Sequence, residues 1–285
     1  MTSCKIKPIV VDLNIGDQLT LISCGHVVVE LIKFIAFQRL QIPYTYQWLK
    51  QIVNKKKMCE NRDKKESFQS ERHFHIASTA LDNLDFILKS LLQEMSGSSI
   101  PEEVCIALGA TPMTCKEMYR LILPTLCHKP QCHSSHIASD QKIQRSVFRT
   151  MVTSESLSKV FFDSLPPTNM HIFIRRNSLN NLNIPNSDSF ELTSGCRIPR
   201  KTKIVVMNFR TNKENVSCCN DFEIFGETGG NNEDLDMEKK INFEEEFEEM
   251  ESTDTMKWYQ STYVMKGFKD CVVNGNSVTN SWNDS

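Results

Sequence analysis

The segment from Gly16 to Leu40 constrains this chain more than any other. Its polar residues recur at Thr20, Ser23, His26, Glu30 and Lys33, and nearly everything between them is apolar. Spacings of three and four set residues on one face of an α-helix, so this helix has a single narrow wet stripe. A helix that is apolar over most of its circumference has to be wrapped by the rest of the chain, and it is predicted to be the central helix of the fold. It is predicted to end at Ile42-Pro43, because a residue before proline is pushed out of the helical region.

The flanking segments supply the wrapping. Ile6 to Val11 is apolar and β-branched around Pro8, which suits a short edge strand. Tyr44 to Val53 predicts a short second helix. The lysine-rich stretch 54–72 predicts a solvated loop, with a nuclear address or partner contact as the other reading. Phe74, Ala77, Leu81, Leu84, Leu88, Leu91 and Met95 keep helical spacing, and the amphipathic helix they predict stops near Gly97. Val104 to Leu108, bounded by Pro101 and Gly109, predicts a buried strand. Thr114-Cys115-Lys116-Glu117 has the form of a capping box and predicts a helix running to about Leu123. A third long helix is predicted from about Ser139 to Phe162, with Ile143, Val147, Met151, Leu157 and Phe161 as its inner line. Strands are then predicted at Met170–Arg175, Lys203–Phe209, Phe222–Phe225 and around Trp258–Val264. Helices first and strands later around one sheet give an α+β class, with one domain over 1–271. Residues 229–255 read as an acidic disordered insertion and 272–285 as a flexible tail.

Charge and cysteine context exclude several functions. The formal net charge is −2, but Glu233 to Asp254 holds eleven acidic residues against Lys239 and Lys240, a net of −9 that leaves +7 spread over the rest. That diffuse balance lacks the dense basic stripe of a nucleic-acid-binding domain. The residues after Met1 predict no secretion signal, and no uninterrupted apolar run is long enough to predict a membrane span. The eleven cysteines are therefore expected to be reduced thiols.

Chemistry-bearing motifs are few. Cys127, His128, Cys132, His133 and His136 offer zinc-binding residue types in a spacing that matches no common finger. A zinc-binding regulatory domain and a polar loop between helices are the two readings. No Gly-x-Ser-x-Gly elbow is present, and Gly226-Glu227-Thr228-Gly229-Gly230 lacks the lysine and strand-to-helix setting of a phosphate loop. The chain is thus expected to be no enzyme and to hold no cofactor. Two aromatics stand out instead: Phe37 continues the wet stripe of the first helix, and Phe148 lies between Arg145 and Arg149. Each is either a partner anchor or the cover of a neighbouring loop.

Four motifs carry a family resemblance. Glu30-Leu31-Ile32-Lys33-Phe34-Ile35-Ala36-Phe37-Gln38-Arg39-Leu40-Gln41-Ile42-Pro43 resembles the first-helix signature of the comet family, proteins of the spindle checkpoint that bind the checkpoint protein Mad-two. The run from Ala107 to Tyr119 resembles its strand, glycine and helix, and Arg145 to Arg149 its third helix. Trp258 to Lys269 is similar to its C-terminal aromatic strand. The resemblance implies a HORMA-like fold: a mainly antiparallel sheet, three main helices and a C-terminal safety-belt region. It implies an adaptor that binds closed Mad-two, mimicking its dimer partner, and presents it to an AAA+ ATPase that disassembles the mitotic checkpoint complex. It also implies a nuclear and cytoplasmic protein, at spindle or kinetochore in mitosis. Carried over by position, partner contacts fall on Gln38 and Phe148, with Phe37, Arg145 and Arg149 around them. The safety-belt strand falls on Trp258, Tyr259, Tyr263 and Phe268. Leu192-Thr193 stands where some relatives carry a Pro-Lys pair that engages the ATPase.

Overall fold

The computed structural model describes residues 7–16, 19–59, 67–97, 100–124, 140–177, 189–195, 198–211 and 256–282. The strands are β1 (Ile9–Gly16), β2 (Glu103–Gly109), β3 (Cys115–Ile122), β4 (Asn169–Asn177) and β5 (Phe190–Thr193), followed by β6 (Lys203–Thr211), β7 (Met256–Ser261), β8 (Met265–Lys266), β9 (Val272–Val273) and β10 (Asn276–Ser277). The helices are α1 (Leu21–Gln38), α2 (Tyr46–Cys59), α3 (Phe68–Met95), α4 (Asp140–Thr153), α5 (Glu155–Phe162) and the short α6 (Val278–Ser281). The main sheet runs β1-β6-β3-β2-β4-β7-β5, with β8 added to β4. Among the described residues only β6 pairs in parallel, with β1 on one side and β3 on the other; the remaining ladders are antiparallel. The class is α+β with a mostly antiparallel sheet.

Burial follows the two periodicities. Leu31, Ile32, Ile35 and Ala36 of α1 pack with Leu84 and Leu91 of α3, Val147 of α4, and Val104, Ile106, Ile172, Ile174, Val205 and Met207 of the sheet. Each Leu, Ile, Val or Met side chain among them contributes about 1.5–3 kcal/mol when fully removed from water. By length and composition α1 also qualifies as a membrane span, contrary to the sequence expectation, but its apolar residues are the centre of this core. The alternate positions of the sheet, Cys105, Ala107, Met118 and Phe173, form a smaller cluster with Trp258 on the other face. β2 is therefore buried along its whole length.

Several expectations are corrected. α1 begins at Leu21, later than predicted, because Thr20 caps it by accepting from the Ser23 amide at 3.1 Å, while β1 runs on to Gly16. It ends before Ile42-Pro43, in a turn where the Gln41 amide donates to the Ala36 carbonyl and the Leu40 amide to that of Phe37. The basic loop expected over 54–72 is partly helical, since α2 runs to Cys59 and α3 starts at Phe68. Lys57 bonds Asp82 of α3 at 2.9 Å, and Lys56 lies buried over the Phe74 ring, so these lysines bridge two helices. The helix predicted from Thr114 is strand β3. Its backbone is claimed by β2 and β6 on either side, and the Glu117 carboxylate turns to Arg39 instead of capping. The third helix is broken at Ser154, whose hydroxyl accepts from the Leu157 amide and starts α5.

The loose tail expected from Val272 is folded as far as Trp282. Asn274 and Gly275, both at positive φ, turn the β9–β10 hairpin, as two-residue hairpin loops require. Trp282, only 2% exposed, then packs tilted on His73 and edge-on to Phe74, and donates its indole N–H to Ser70. The strand expected at Phe222–Phe225, the acidic stretch and the Cys127–His136 cluster lie outside the described residues.

Candidate protein-binding surface

The last turns of α1 place Phe34 and Gln38 one helical turn apart on one face, both half-buried. Phe148 of α4 is also half-buried, and its ring meets that of Phe34 at 5.4 Å between centroids. Phe34 in turn meets Phe161 of α5 edge-on at 6.1 Å. Both separations lie in the range where tilted aromatic pairs attract. An aromatic row therefore crosses α4, α1 and α5, and it brings Phe148 alongside the face that carries Gln38. Arg145 and Arg149 are exposed on α4 to either side of Phe148, and among the described residues neither forms an ion pair.

Phe37 is set apart from this row. It shares the stripe of Glu30 and Lys33, whose ammonium lies 4.5 Å from the Tyr46 ring centroid on α2, and its own ring packs partly against the core. Phe34 is the residue that sequence reasoning missed. Its apolar neighbours hide it, and the only local signal is its i,i+4 relation to Gln38.

The surface is braced from behind by buried polar groups. The Arg39 guanidinium donates to both Glu117 carboxylate oxygens, at 2.8 and 2.7 Å, and to the Phe161 carbonyl at 3.2 Å. The Tyr119 hydroxyl donates to Glu117 as well, at 2.9 Å, and burial pushes its pKa up, so it stays protonated. Arg39 is 2% and Glu117 6% exposed. Such a pair is held only because its bonds are made, and it ties the end of α1 to β3 and to the end of α5. Gln41, fully buried, donates to the Arg39 carbonyl at 2.6 Å and accepts from the Thr168 amide at 2.7 Å. Its own carbonyl accepts from the Phe268 amide. At Gly267 a Cβ would fall 2.7 Å from both the Gln41 side-chain oxygen and the Thr168 carbonyl, so the close approach admits only glycine.

The four residues expected as one strand site are dispersed. Trp258 and Tyr259 lie on β7 between β4 and β5, under the guanidiniums of Arg175 and Arg176 at 5.7 and 4.2 Å. Tyr263 stacks on Phe86 of α3 at 3.8 Å, and Phe268 is buried edge-on to His73. Only Phe268 reaches the end of α1, through its backbone. Leu192 and Thr193 lie on β5 at the far end of the sheet from β1. Among the described residues no group of three or more His, Cys, Asp or Glu side chains could hold a metal ion.

A half-buried aromatic row edged by arginines thus lies on helices pinned from behind by buried hydrogen bonds, on an α+β domain. The profile of the p31comet family, described as Mad1 and Cdc20-bound-Mad2 binding, matches residues 6–179, and the chain belongs to that family. The chain is also similar to the MAD2L1-binding protein of Mus musculus, at 31% identity over 104 residues. That alignment takes in 36% of this chain and 37% of the mouse protein, so the chain spans well under two thirds of this relative's length. The family match contains the whole of α1 and α4 and stops just past β4.

Proposed function

We propose that the chain is a non-enzymatic adaptor that binds the closed form of Mad2 through α1 and α4. The observation that supports this reading is the Phe34–Phe148 contact, a link between the helix that carries Gln38 and the one that carries Arg145 and Arg149. Phe148 is the anchor, Gln38 can donate and accept at the rim, and the arginines supply outer polar contacts. In this reading the domain is HORMA-like and mimics the dimer partner of Mad2. β7 occupies its own sheet in the manner of a safety belt, which leaves the helical face for the partner. The bound Mad2 is presented to an AAA+ ATPase that takes the checkpoint complex apart, so the protein silences the checkpoint. Its place is the nucleus and cytoplasm, and the spindle or kinetochore in mitosis. With exposed Leu192 and half-buried Thr193 standing where some relatives carry Pro-Lys, the ATPase contact is the weaker of the two.

The test is Mad2 affinity by calorimetry for Phe148→Ala, Gln38→Ala and the double variant, each with its thermal melt. Loss of a central aromatic anchor is expected to cost about 2 kcal/mol, roughly thirtyfold in Kd. Gln38→Ala is expected to cost about 1 kcal/mol. Unchanged affinity in the double variant would remove the site. Lost binding together with a collapsed melt would assign Phe148 to the core instead.

A further inference from the structure

Among the described residues two non-glycine residues have positive φ, Asn274 at 51° and Leu40 at 53°. Asn274 is ordinary: it precedes Gly275 in a hairpin turn, and asparagine tolerates the left-handed region. Leu40 is not. It occupies the position after the α1 cap where helices closed in this way carry glycine, because a Cβ there crowds the backbone. Its side chain is 56% exposed, while its neighbours Arg39 and Gln41 are 2% and 0% exposed.

Those two neighbours explain how the strained turn persists. Arg39 is clamped to Glu117 and to the Phe161 carbonyl. Gln41 is clamped to the Thr168 amide and, through its carbonyl, to the Phe268 amide. A residue between two such anchors has no freedom to relax, which is the condition under which strain survives in a native structure. The result is an apolar side chain more than half exposed, two residues beyond Gln38 and next to Arg39, whose guanidinium holds the Phe161 carbonyl. The hydrogen bonds of the turn and the anchored neighbours hold the backbone conformation, but the exposed part of the side chain is left to solvent, and a partner that covers Leu40 would remove it from water.

We infer that Leu40 is a further partner-contact residue, presented by the rigid turn to an apolar patch on the folded protein that covers Gln38 and Phe148. This rests on the proposed Mad2-binding reading and adds to it a residue with no polar role and an apolar counterpart on Mad2.

The test uses the fact that fold and binding respond to Leu40 in opposite directions. Leu40→Gly relieves the backbone and is expected to raise Tm by a few degrees, while Mad2 affinity falls roughly tenfold. Leu40→Asn keeps a left-handed-tolerant residue without the apolar contact, and is expected to hold Tm and lose affinity to the same extent. Phe148→Ala is measured alongside. If Phe148→Ala weakens binding and both Leu40 variants bind like wild type, Leu40 makes no contact and this inference falls while the binding reading stands. If both Leu40 variants lose stability together with affinity, Leu40 is a structural residue and the inference falls. If neither Phe148→Ala nor the Leu40 variants change the affinity, or the wild-type chain does not bind Mad2, the reading falls and takes the inference with it.

Discussion

His171 shows how a single residue can set the response of this fold to pH. It lies on β4 opposite Ala107, its two ring nitrogens buried with no well-aligned hydrogen-bond partner, and only the backbone of Gly109 and Ala110 close enough to oppose the effect of burial. Burial pushes its pKa below the ordinary histidine value of 6.5, because an imidazolium there would lose its hydration. His73, buried under the C-terminal segment, is lowered for the same reason, with Asp270 at 3.2 Å opposing the shift. The unfolded chain takes up protons near pH 6.5 and the folded chain only lower down. Across that window the unfolded state binds more protons, so stability falls as pH falls. Thermal melts from pH 7.5 to 5 should therefore show Tm dropping below about pH 6.5. His171→Leu should make the slope shallower without abolishing it, since His73 remains. An unchanged slope would mean that His171 is already solvated.

At the scale of elements, the C-terminal hairpin and α6 carry the clearest prediction. α6 has only four residues and cannot be stable by itself. Trp282 holds it, filling a site on α3 between His73 and Phe74. A network continues underneath. Thr279 donates to Asp270 at 2.6 Å and contacts His73 at 2.9 Å, and Tyr44 donates to Asp270 at 2.8 Å. Trp282→Ala should cost about 3–5 kcal/mol, as for other large aromatics removed from a core. Denaturant unfolding followed by far-UV circular dichroism measures it, and a cost under about 1 kcal/mol would return the segment to the loose tail suggested by its polar composition. The same element shows why that composition misled. A single tryptophan and an Asn-Gly turn determine the segment, while most of its other side chains stay polar.

For the molecule as a whole, the order of the sheet decides what can fold by itself. β6 stands between β1 and β3, and the N-terminal β1 pairs with it in parallel, Ile9 opposite Val205. β4 is flanked on its outer side by β7, from beyond residue 255. The family match covers 6–179 and so omits both β6 and β7. Residues 6–179 expressed alone should fail to fold: β1 would lose its ladder, and Val205, Met207 and Phe209 would be missing from the core. A cooperative melt and a dispersed amide spectrum from that fragment would overturn this.

Sequence alone determined the elements whose stability is written into periodicity. α1 and α3 were legible because apolar residues three and four apart leave a helix no alternative burial, and β2, β4 and β6 because their runs are short, apolar and β-branched. It also located Gln38, Phe148, Arg145 and Arg149 as candidates, through motif resemblance and through an aromatic between two arginines. Tertiary structure decided what local signals cannot fix. Thr114-x-x-Glu117 reads as a helix start, but β3 receives hydrogen bonds from strands on both sides, and a full set of ladder bonds outweighs one cap. Phe34 became part of the candidate surface only when α4 was laid across α1. Leu40 acquired its left-handed conformation only because Arg39 and Gln41 are anchored to β3, α5 and the segments around Thr168 and Phe268. Helical and strand periods are properties of neighbours in the chain. A contact between residues 34 and 148, or a turn clamped from both sides, is a property of the closed fold, where long-range hydrogen bonds and burial override local preference.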